Sequence, residues 1–436
     1  MLKALNRFMA ARTKQVFEHD VLTVGDHGFT KAQFSALVRF NDAHEQKFFR
    51  VGHNTLRFTD YVGVIQVGDL AIEVLPKVGR VGAAEGLKWR RVLVKMLGEA
   101  CVIGVPANQA DLARTQSPLI DLYLKSFLSE ARALLHSGLV KRYRREEGNV
   151  RALKGRVLFA KQLRYNSIHS ERIFTEHQKF DRDNSFNQIL KLALSILARS
   201  ARSADVMAGA SELVVGFDGV SILPVTASTL RGLVWRRDTE RYRPALQLAI
   251  FIIENYSPDL RGGKEHVLAI MVDMNRLFEK YILVQLKRAR SLFADVSVQV
   301  TDQSRSLFWG QRKLRPDVTI DWIAQGKPQR VILDTKWKLP DAGLPSDADL
   351  KQMYAYNLHF GATLSVLVYP HTMVGRSELK AAFVVGSTAE LAHYEHKCAM
   401  HFVNLFDESG GLRSDIGASL LRDAVGVAVP DAKVYA

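Results

Sequence analysis

Short stretches in the N-terminal part of the chain alternate apolar and polar residues, as half-buried β-strands do. In the stretch 61–78, an apolar run through Val67 is followed by Gly68-Asp69 and by a second apolar run that ends before Pro76. Because a glycine-containing pair between two such runs is typical of a tight turn, we predict a β-hairpin there. Apolar residues at helical spacing predict helices over 86–100 and 117–136.

The pattern becomes more helical towards the middle of the chain. A helix is predicted over 183–202, with Asp183 or Asn184 as its N-cap, and a buried helix over 243–257. The glycine-containing stretch 258–266 reads as a linker. From residue 264 onward, apolar residues recur at helical spacing and predict one long amphipathic helix.

The C-terminal part combines strands with helices. Strands are predicted over 296–301, 316–323, 330–336, 363–370 and 380–386, and a helix over 347–359. Helix, three strands, helix and strand in this order indicate an α/β domain with a mixed central sheet flanked by helices, in a chain that is α+β overall. We therefore predict a mixed β/helical domain over 1–260, an α/β domain over 261–405, and a tail over 406–436 of uncertain structure.

The net charge of the chain favours a polyanionic partner. The 436 residues carry a formal net charge of +15, and Lys and Arg bind phosphates with release of counterions. The most basic segment is 140–174, where glycines interrupt short strand-like runs and predict a projecting hairpin or loop. Either DNA or a protein partner could bind it, and a simply solvated hairpin is the third possibility. Its candidate contact residues are Arg142, Arg144, Arg145, Arg151, Lys154 and Arg156.

Composition also excludes several classes of protein. The two cysteines, Cys101 and Cys398, cannot form a disulfide framework or a four-cysteine zinc site. The basic N-terminal residues lack the continuous apolar segment of a secretory signal. Since no run of about 18 apolar residues occurs, no membrane association is expected and a cytoplasmic location is predicted.

Three polar residues at predicted strand ends suggest chemistry. Asp317 opens one apolar run and Asp334 closes the next, so adjacent strands would bring both carboxylates to one divalent cation. Lys336 has the same strand parity as Asp334 and therefore faces the same side, where it could orient a water or stabilise charge on a phosphate. Asp321 shares parity with Asp317, but the pairing with Asp334 and Lys336 favours Asp317. Ordinary polar residues at strand ends are the alternative.

These residues carry a resemblance. The strings RPD (315–317), DTKWK (334–338) and QMYAY (352–356) are similar to the PD-(D/E)xK nuclease pattern, and Gln352 and Tyr356 match the Gln-x-x-x-Tyr element of its RecB-like members. The strings GVIQVGDLAIEVLPKV, NVRALKGRVL and FDRDNSFNQILK, together with the PD motif, resemble the McrC family. The similarity extends from about residue 61 to about residue 370.

The resemblance implies a function that composition cannot give. McrC-like proteins are Mg²⁺-dependent endonuclease subunits of the McrBC restriction system, an anti-phage defence that acts on DNA containing 5-methylcytosine. They bind a hexameric McrB AAA+ GTPase through an N-terminal finger and stimulate its GTP hydrolysis, and the partner recognises the modified base. The catalytic positions fall on Asp317, Asp334 and Lys336, with Asp317 and Asp334 as metal ligands. Possible additions are Glu279, Gln352 and Tyr356. Residues 261–405 would form a restriction-endonuclease-like domain, and 1–260 a partner-docking domain.

Two other functions stay open. The chain could be a stand-alone RecB-like nuclease of DNA or RNA, or a noncatalytic adaptor that activates a GTPase. A nucleotide-binding role is not expected, because the chain has no G-x-x-x-x-G-K-[ST] motif. That absence agrees with a subunit that depends on a motor partner.

Overall fold

The computed structural model describes residues 12–77, 85–100, 119–169, 171–201, 203–223, 229, 232–257, 266–340, 343–371, 379–384, 396–407 and 410–427. Strands β1 to β10 are Arg12–Phe17, Val21–Thr23, Phe49–Gly52, Thr55–Phe58, Tyr61–Val67, Leu70–Leu75, Arg142–Val150, Arg156–Val157, Ile173–Asp181 and Tyr256–Ser257. Strands β11 to β19 are Val267–Asp273, Gln299–Asp302, Ser306–Trp309, Arg312–Leu314, Val318–Ala324, Lys327–Thr335, Leu364–His371, Leu379–Ala382 and Lys397–Asn404.

The helices alternate with these strands along the chain. Helices α1 to α5 are Lys31–Ala43, Glu85–Glu99, Leu119–His136, Phe159–Asn166 and Ser185–Ser200. Helices α6 to α10 are Ala204–Gly216, Arg243–Glu254, Met274–Ala289, Asp347–Phe360 and the short Ile416–Ser419. The fold is therefore a mixed α+β fold, as the sequence predicts. No helix in the described ranges is long and apolar enough to cross a lipid bilayer.

The chain divides into two compact units. Within the described residues, the first comprises Gln66–Asp69 and the chain from Ile120 to Ile270, and the second comprises Arg12–Ile65, the chain from Leu70 to Leu119, and the chain from Met271 onward. Both units are discontinuous in sequence, so their boundaries do not follow the predicted division at residue 260. The roles predicted for 1–260 and 261–405 stay predictions.

In the first unit, β7 and β9 form a long antiparallel hairpin, and β8 pairs with β9. Of the hairpin or loop predicted for the basic segment, the structure shows a hairpin, with helix α4 between its strands. Helix α5 begins after Asn184, whose side chain accepts a hydrogen bond from the Asn187 N–H as an N-cap does. The predicted helix at 243–257 is α7, and the predicted linker at 258–266 lies outside the described residues except for His266.

The second unit contains a six-stranded mixed sheet in the order β12-β15-β16-β17-β19-β18. Strand β15 pairs antiparallel with β12 and β16, whereas β16, β17 and β19 are parallel. Helix α9 packs on this sheet through Met353 and Tyr356, which contact buried residues such as Ile332 and Leu367. Burial of this apolar cluster, at roughly 25 cal/mol per Å² removed from water, holds the helix in place beside the strand ends.

One element differs from the prediction. The run from residue 264 is not one long helix, because Val267–Asp273 forms strand β11 and helix α8 begins only at Met274. The continuous apolar run from Val267 to Met271 is fully buried, as in a strand covered on both faces. The Asp273 carboxylate then accepts hydrogen bonds from the backbone N–H groups of Asn275 and Arg276 and caps the helix.

The described part of the tail behind residue 405 includes a short helix. Helix α10 continues into a π-helical turn, Leu420–Ala424, whose Leu420 and Leu421 are buried. A side chain at Gly417 would meet the backbone of Gln285 on α8 at 2.1 Å. Glycine at this position therefore allows the tail to lie directly against α8.

Candidate active site

Strands β15 and β16 bring the two predicted acidic residues to the same edge of the sheet. Val318 pairs with Leu333 across the two antiparallel strands. Asp317 immediately precedes the first of these residues and Asp334 immediately follows the second, so the carboxylates lie at neighbouring strand ends. The Asp317 carboxylate accepts hydrogen bonds from the Thr335 N–H and hydroxyl, both at 2.8 Å. Thr335, which the sequence did not single out, therefore fixes the orientation of Asp317.

Asp334 is buried, with 3% of its surface exposed. Burial and, to a smaller extent, the negative charge of Asp317 raise the pKa of its carboxyl from 3.8 to about 7. The Lys336 ammonium opposes both effects from 2.7 Å, measured from Nζ to Oδ2 of Asp334. The negative charges of Asp317 and Asp334 therefore repel each other in a buried site.

Lys336 is held by three side chains. Its Nζ lies 2.7 Å from Asp334, donates to Oε1 of Gln352 at 3.1 Å, and lies 3.3 Å from Oδ1 of Asp349. Burial alone would lower the pKa of the ammonium, but the charges of Asp334 and Asp349 raise it above its ordinary value. Lys336 is consequently a cation near neutral pH and cannot serve as a general base.

Helix α9 supplies the remaining polar groups. Gln352 donates to the Tyr356 hydroxyl at 2.8 Å, and that hydroxyl donates to the backbone carbonyl of Arg315 at 3.0 Å. The chain of hydrogen bonds thus connects Lys336 to the backbone two residues before Asp317. Burial raises the pKa of Tyr356, and the charges of Asp334 and Asp317 add to it, so the hydroxyl stays protonated.

Asp349 is a site residue that the sequence reasoning missed. Its Oδ2 accepts from Lys338 at 2.6 Å and from the Ser346 hydroxyl at 2.7 Å. Although burial raises the pKa of Asp349, these hydrogen bonds and the two lysines lower it below its ordinary value. Its position three residues before Gln352 on a predicted helix was the available signal, since such residues share a helix face.

Glu279 on α8 lies close enough to the site to affect it electrostatically. Its Oε1 accepts from the Gln303 amide at 2.9 Å. Burial raises the pKa of Glu279, the hydrogen bond from Gln303 lowers it, and the charge of Asp317 raises it again. The structure therefore brings together all six residues predicted for the site.

The acidic residues suit a small hard cation. Carboxylate oxygens are the ligands that Mg²⁺ prefers, and Mg²⁺ commonly uses one or two carboxylates and keeps several waters. Within the described residues, no group of three or more His, Cys, Asp or Glu side chains is arranged to hold a metal. The carboxylates of Asp317 and Asp334, at neighbouring strand ends, fit such a sparsely liganded cation.

The predicted contact residues of the basic segment lie on the β7–β9 hairpin of the first unit, and most of them are paired. Arg142 lies 3.4 Å from Asp238, and Arg144 forms hydrogen bonds of 3.2 and 3.1 Å with the carboxylate of Asp181. Arg145 and Arg156 both pair with Glu176. Arg151 and Lys154 are exposed and form no ion pair with any residue that the structure describes.

Comparison with known proteins identifies the family. The family model described as McrBC 5-methylcytosine restriction system component matches residues 56–370, well over half of the chain. The chain belongs to this family. Its match therefore includes Asp317, Asp334, Lys336, Gln352 and Tyr356, and the resemblance to the McrC family is confirmed.

Individual relatives of this McrBC family member are distant. The type IV methyl-directed restriction enzyme EcoKMcrBC of Escherichia coli K12 is 22% identical over 215 residues, which are 47% of this chain and 60% of that protein. A chain of the refined half-complex of Thermococcus gammatolerans McrB AAA+ hexamers with bound McrC has a TM-score of 0.66 and 19% identity. That alignment covers 95% of this chain and 100% of the other, so the two share a fold. The cryo-EM structure of the T. gammatolerans McrBC complex aligns over 64% of this chain and 88% of that one, with 21% identity and a TM-score of 0.48.

Proposed function

We propose that this McrBC family member is the endonuclease subunit of a modification-dependent restriction complex and that it cleaves DNA phosphodiester bonds by Mg²⁺-assisted hydrolysis. The observation that carries the proposal is the joining of Asp317, Asp334, Lys336, Gln352 and Tyr356 into one network at the edge of a mixed sheet. The residue types, and their placement on two adjacent strands and a helix, support the proposed assignment to the PD-(D/E)xK nucleases.

Asp317 and Asp334 would hold the metal. A bound Mg²⁺ supplies Lewis acidity towards the phosphate and lowers the pKa of a coordinated water. Thr335 keeps Asp317 aimed at the site through its two hydrogen bonds, and β16 presents Asp334 from the neighbouring strand. Glu279 is an additional acid at the edge of the site.

Lys336 acts as a fixed positive charge. Because its pKa is raised, it stays protonated and can stabilise the negative charge that develops on the phosphate oxygens. Gln352 and Asp349 hold the ammonium in one place, so its charge needs little reorganisation during the reaction. Tyr356 positions the backbone before Asp317 through the Arg315 carbonyl.

The partner is proposed from the family. A hexameric McrB-like AAA+ GTPase would bind this chain, and double-stranded DNA with modified cytosine would be the substrate of the complex. Exposed apolar residues near Arg151 and Lys154 on the basic hairpin, Leu153, Phe159 and Leu163, give that end of the first unit a mixed apolar and cationic surface. Such a surface is typical of a protein interface rather than of simple solvation. We assign the docking role to this hairpin.

Reconstitution tests the proposal. The purified chain is incubated with modified duplex DNA and Mg²⁺, with and without the GTPase partner and GTP. The proposal expects cleavage only when partner and GTP are both present. Equal cleavage by the chain alone would favour a stand-alone nuclease, and GTPase stimulation without any cleavage would favour a noncatalytic adaptor.

A further inference from the structure

A small hairpin next to the candidate site exposes large apolar side chains. Strands β13 and β14 pair antiparallel and are joined by the turn Gly310-Gln311, in which Gly310 takes a φ of 56° that glycine favours. Leu307, Phe308 and Trp309 are exposed by 60%, 59% and 74%. Three adjacent large hydrophobic residues at a hairpin tip are costly in water unless they bind something.

The same hairpin is strongly basic. From Gln303 to Pro316 the chain has four basic residues, Arg305, Arg312, Lys313 and Arg315, and no acidic residue. Trp309 lies opposite Arg312 and Leu307 lies opposite Lys313. Within the part of the chain that the structure describes, Arg305, Arg312 and Lys313 form no ion pair with an acidic side chain.

Both ends of this hairpin are tied to the candidate site. At one end, the Gln303 N–H donates to the Asp317 carbonyl at 3.1 Å, and its amide donates to Glu279 at 2.9 Å. At the other end, the Arg315 carbonyl accepts from Tyr356 at 3.0 Å. The base of the hairpin is therefore fixed by the residues that hold the acidic site.

The reach of the hairpin is limited by its length. Arg312 is five residues before Asp317, and five extended residues span at most about 17 Å. Since duplex DNA rises about 3.4 Å per base pair, the tip can contact DNA only within about five base pairs of the bond at the site.

We propose that the β13–β14 hairpin binds the duplex DNA substrate beside the scissile phosphate. Arg312 and Lys313 contact phosphates, and Trp309 enters a groove of the duplex, as apolar wedge residues do. The apolar tip alone would also fit a protein partner. The cations of the hairpin, which form no ion pair with acidic side chains of the described residues, favour a polyanion instead. This inference rests on the proposed nuclease function, and it adds the element that positions DNA there.

A matched control lies on the six-stranded sheet. The β15–β16 hairpin also has a two-residue turn, Gln325-Gly326, and also exposes an apolar residue and a cation, Ile323 and Lys327. These residues lie at the opposite end of β15 and β16 from Asp317 and Asp334. The variants to compare are Trp309→Ala, Arg312→Ala/Lys313→Ala, and the control Ile323→Ala/Lys327→Ala.

DNA binding by the full chain is measured under conditions that prevent cleavage. Fluorescence anisotropy of a labelled short duplex in EDTA gives the affinity as a function of salt concentration. We expect Trp309→Ala and the Arg312/Lys313 variant to weaken binding by roughly 10- to 100-fold, and the latter to reduce the salt slope by about 2, since each phosphate contact contributes about 0.9. The control should bind as the wild type does.

A second readout reports on the hairpin tip directly. Trp309 is exposed, whereas Trp89, Trp322 and Trp337 are buried and Trp235 is half-buried. DNA should therefore protect the tryptophan fluorescence of the wild type from acrylamide quenching. Trp309→Phe should keep most of the DNA affinity and lose this protection.

Three results would overturn the proposal: no wild-type DNA binding at low salt, equal weakening in the control, or unchanged affinity in both hairpin variants. If the hairpin variants lose DNA binding but Asp334→Ala still cuts DNA, the catalytic assignment fails and the hairpin assignment stands. If Asp334→Ala abolishes cleavage while the hairpin variants bind normally, only the hairpin assignment fails.

Discussion

Lys336 and Asp334, two residues apart at the end of β16, form an ion pair in which Nζ lies 2.7 Å from Oδ2. Gln352 and Asp349, both on α9, also contact this ammonium. A lysine confined in this way is a fixed charge rather than a mobile surface cation. Gln352 and Asp349 should therefore matter to the reaction even though neither is a proposed metal ligand.

Gln352→Leu tests this confinement. Loss of the amide should let the Lys336 ammonium move and release the Tyr356 hydroxyl, so we expect the cleavage rate to fall by about 10- to 100-fold, the usual effect of a small misplacement. Single-turnover cleavage measures the rate, and DNA affinity should not change. Lys351→Ala, an exposed change on the same helix, is the control. Equal rates for Gln352→Leu and wild type would contradict the positioning role.

Glu18→Gln tests a second buried carboxyl. Burial raises the pKa of Glu18 from 4.5 to about 7, although hydrogen bonds from the Lys77 N–H and the Trp337 indole act to lower it. The folded chain therefore binds this proton more tightly than the unfolded chain. Its stabilising contribution is complete below about pH 4.5 and is lost as pH rises through about 7.

The size of the expected change in free energy of unfolding follows from the pKa shift of Glu18. Relative to wild type, the Glu18→Gln variant should gain up to about 3 kcal/mol in free energy of unfolding between about pH 5 and about pH 8. Denaturant unfolding at the two pH values measures this difference, and Asp42→Asn, at an exposed carboxyl, is the control. A difference between Glu18→Gln and wild type that does not change with pH would show that Glu18 titrates normally.

Charge reversal tests the docking hairpin of the first unit. Arg151→Glu/Lys154→Glu changes two exposed cations without breaking an ion pair of the described residues, so the fold should persist. We expect association with the GTPase ring to weaken by about tenfold or more, because like charges across an interface are strongly unfavourable. Sedimentation and GTP hydrolysis measure the effect. Lys31→Glu/Lys327→Glu has the same charge change elsewhere, and an equal loss there would indicate a nonspecific charge effect.

Much of the fold could be predicted from the sequence because local patterns determine it. The hairpin at 61–78 is present as β5 and β6, and its turn falls at the predicted Gly68-Asp69. The helices predicted at 86–100 and 347–359 are α2 and α9. Strand β11 was missed because a short continuous apolar run fits a buried strand and a buried helix equally well. Asp273, the N-cap of α8, marks the boundary between β11 and the helix.

The acidic site was predictable for a different reason. Strand-end position and parity identify Asp317, Asp334 and Lys336, and antiparallel pairing then places them together. Asp349 and Thr335 were not predictable in the same way, since their roles depend on how α9 and β16 pack in three dimensions. The discontinuous compact units depend on contacts distant in sequence, which no local pattern specifies.

Asp334→Ala tests the proposed metal site directly. It removes one of the two carboxylates that would hold Mg²⁺. The control is Asp321→Ala on β15, where the carboxylate pairs with Arg330 at a partly exposed position. We predict that, in the reconstituted complex with GTP and Mg²⁺, Asp334→Ala binds its partner and DNA but cuts modified DNA at least about 1,000-fold more slowly, whereas Asp321→Ala cuts as the wild type does. Cleavage by Asp334→Ala at the wild-type rate would contradict the account.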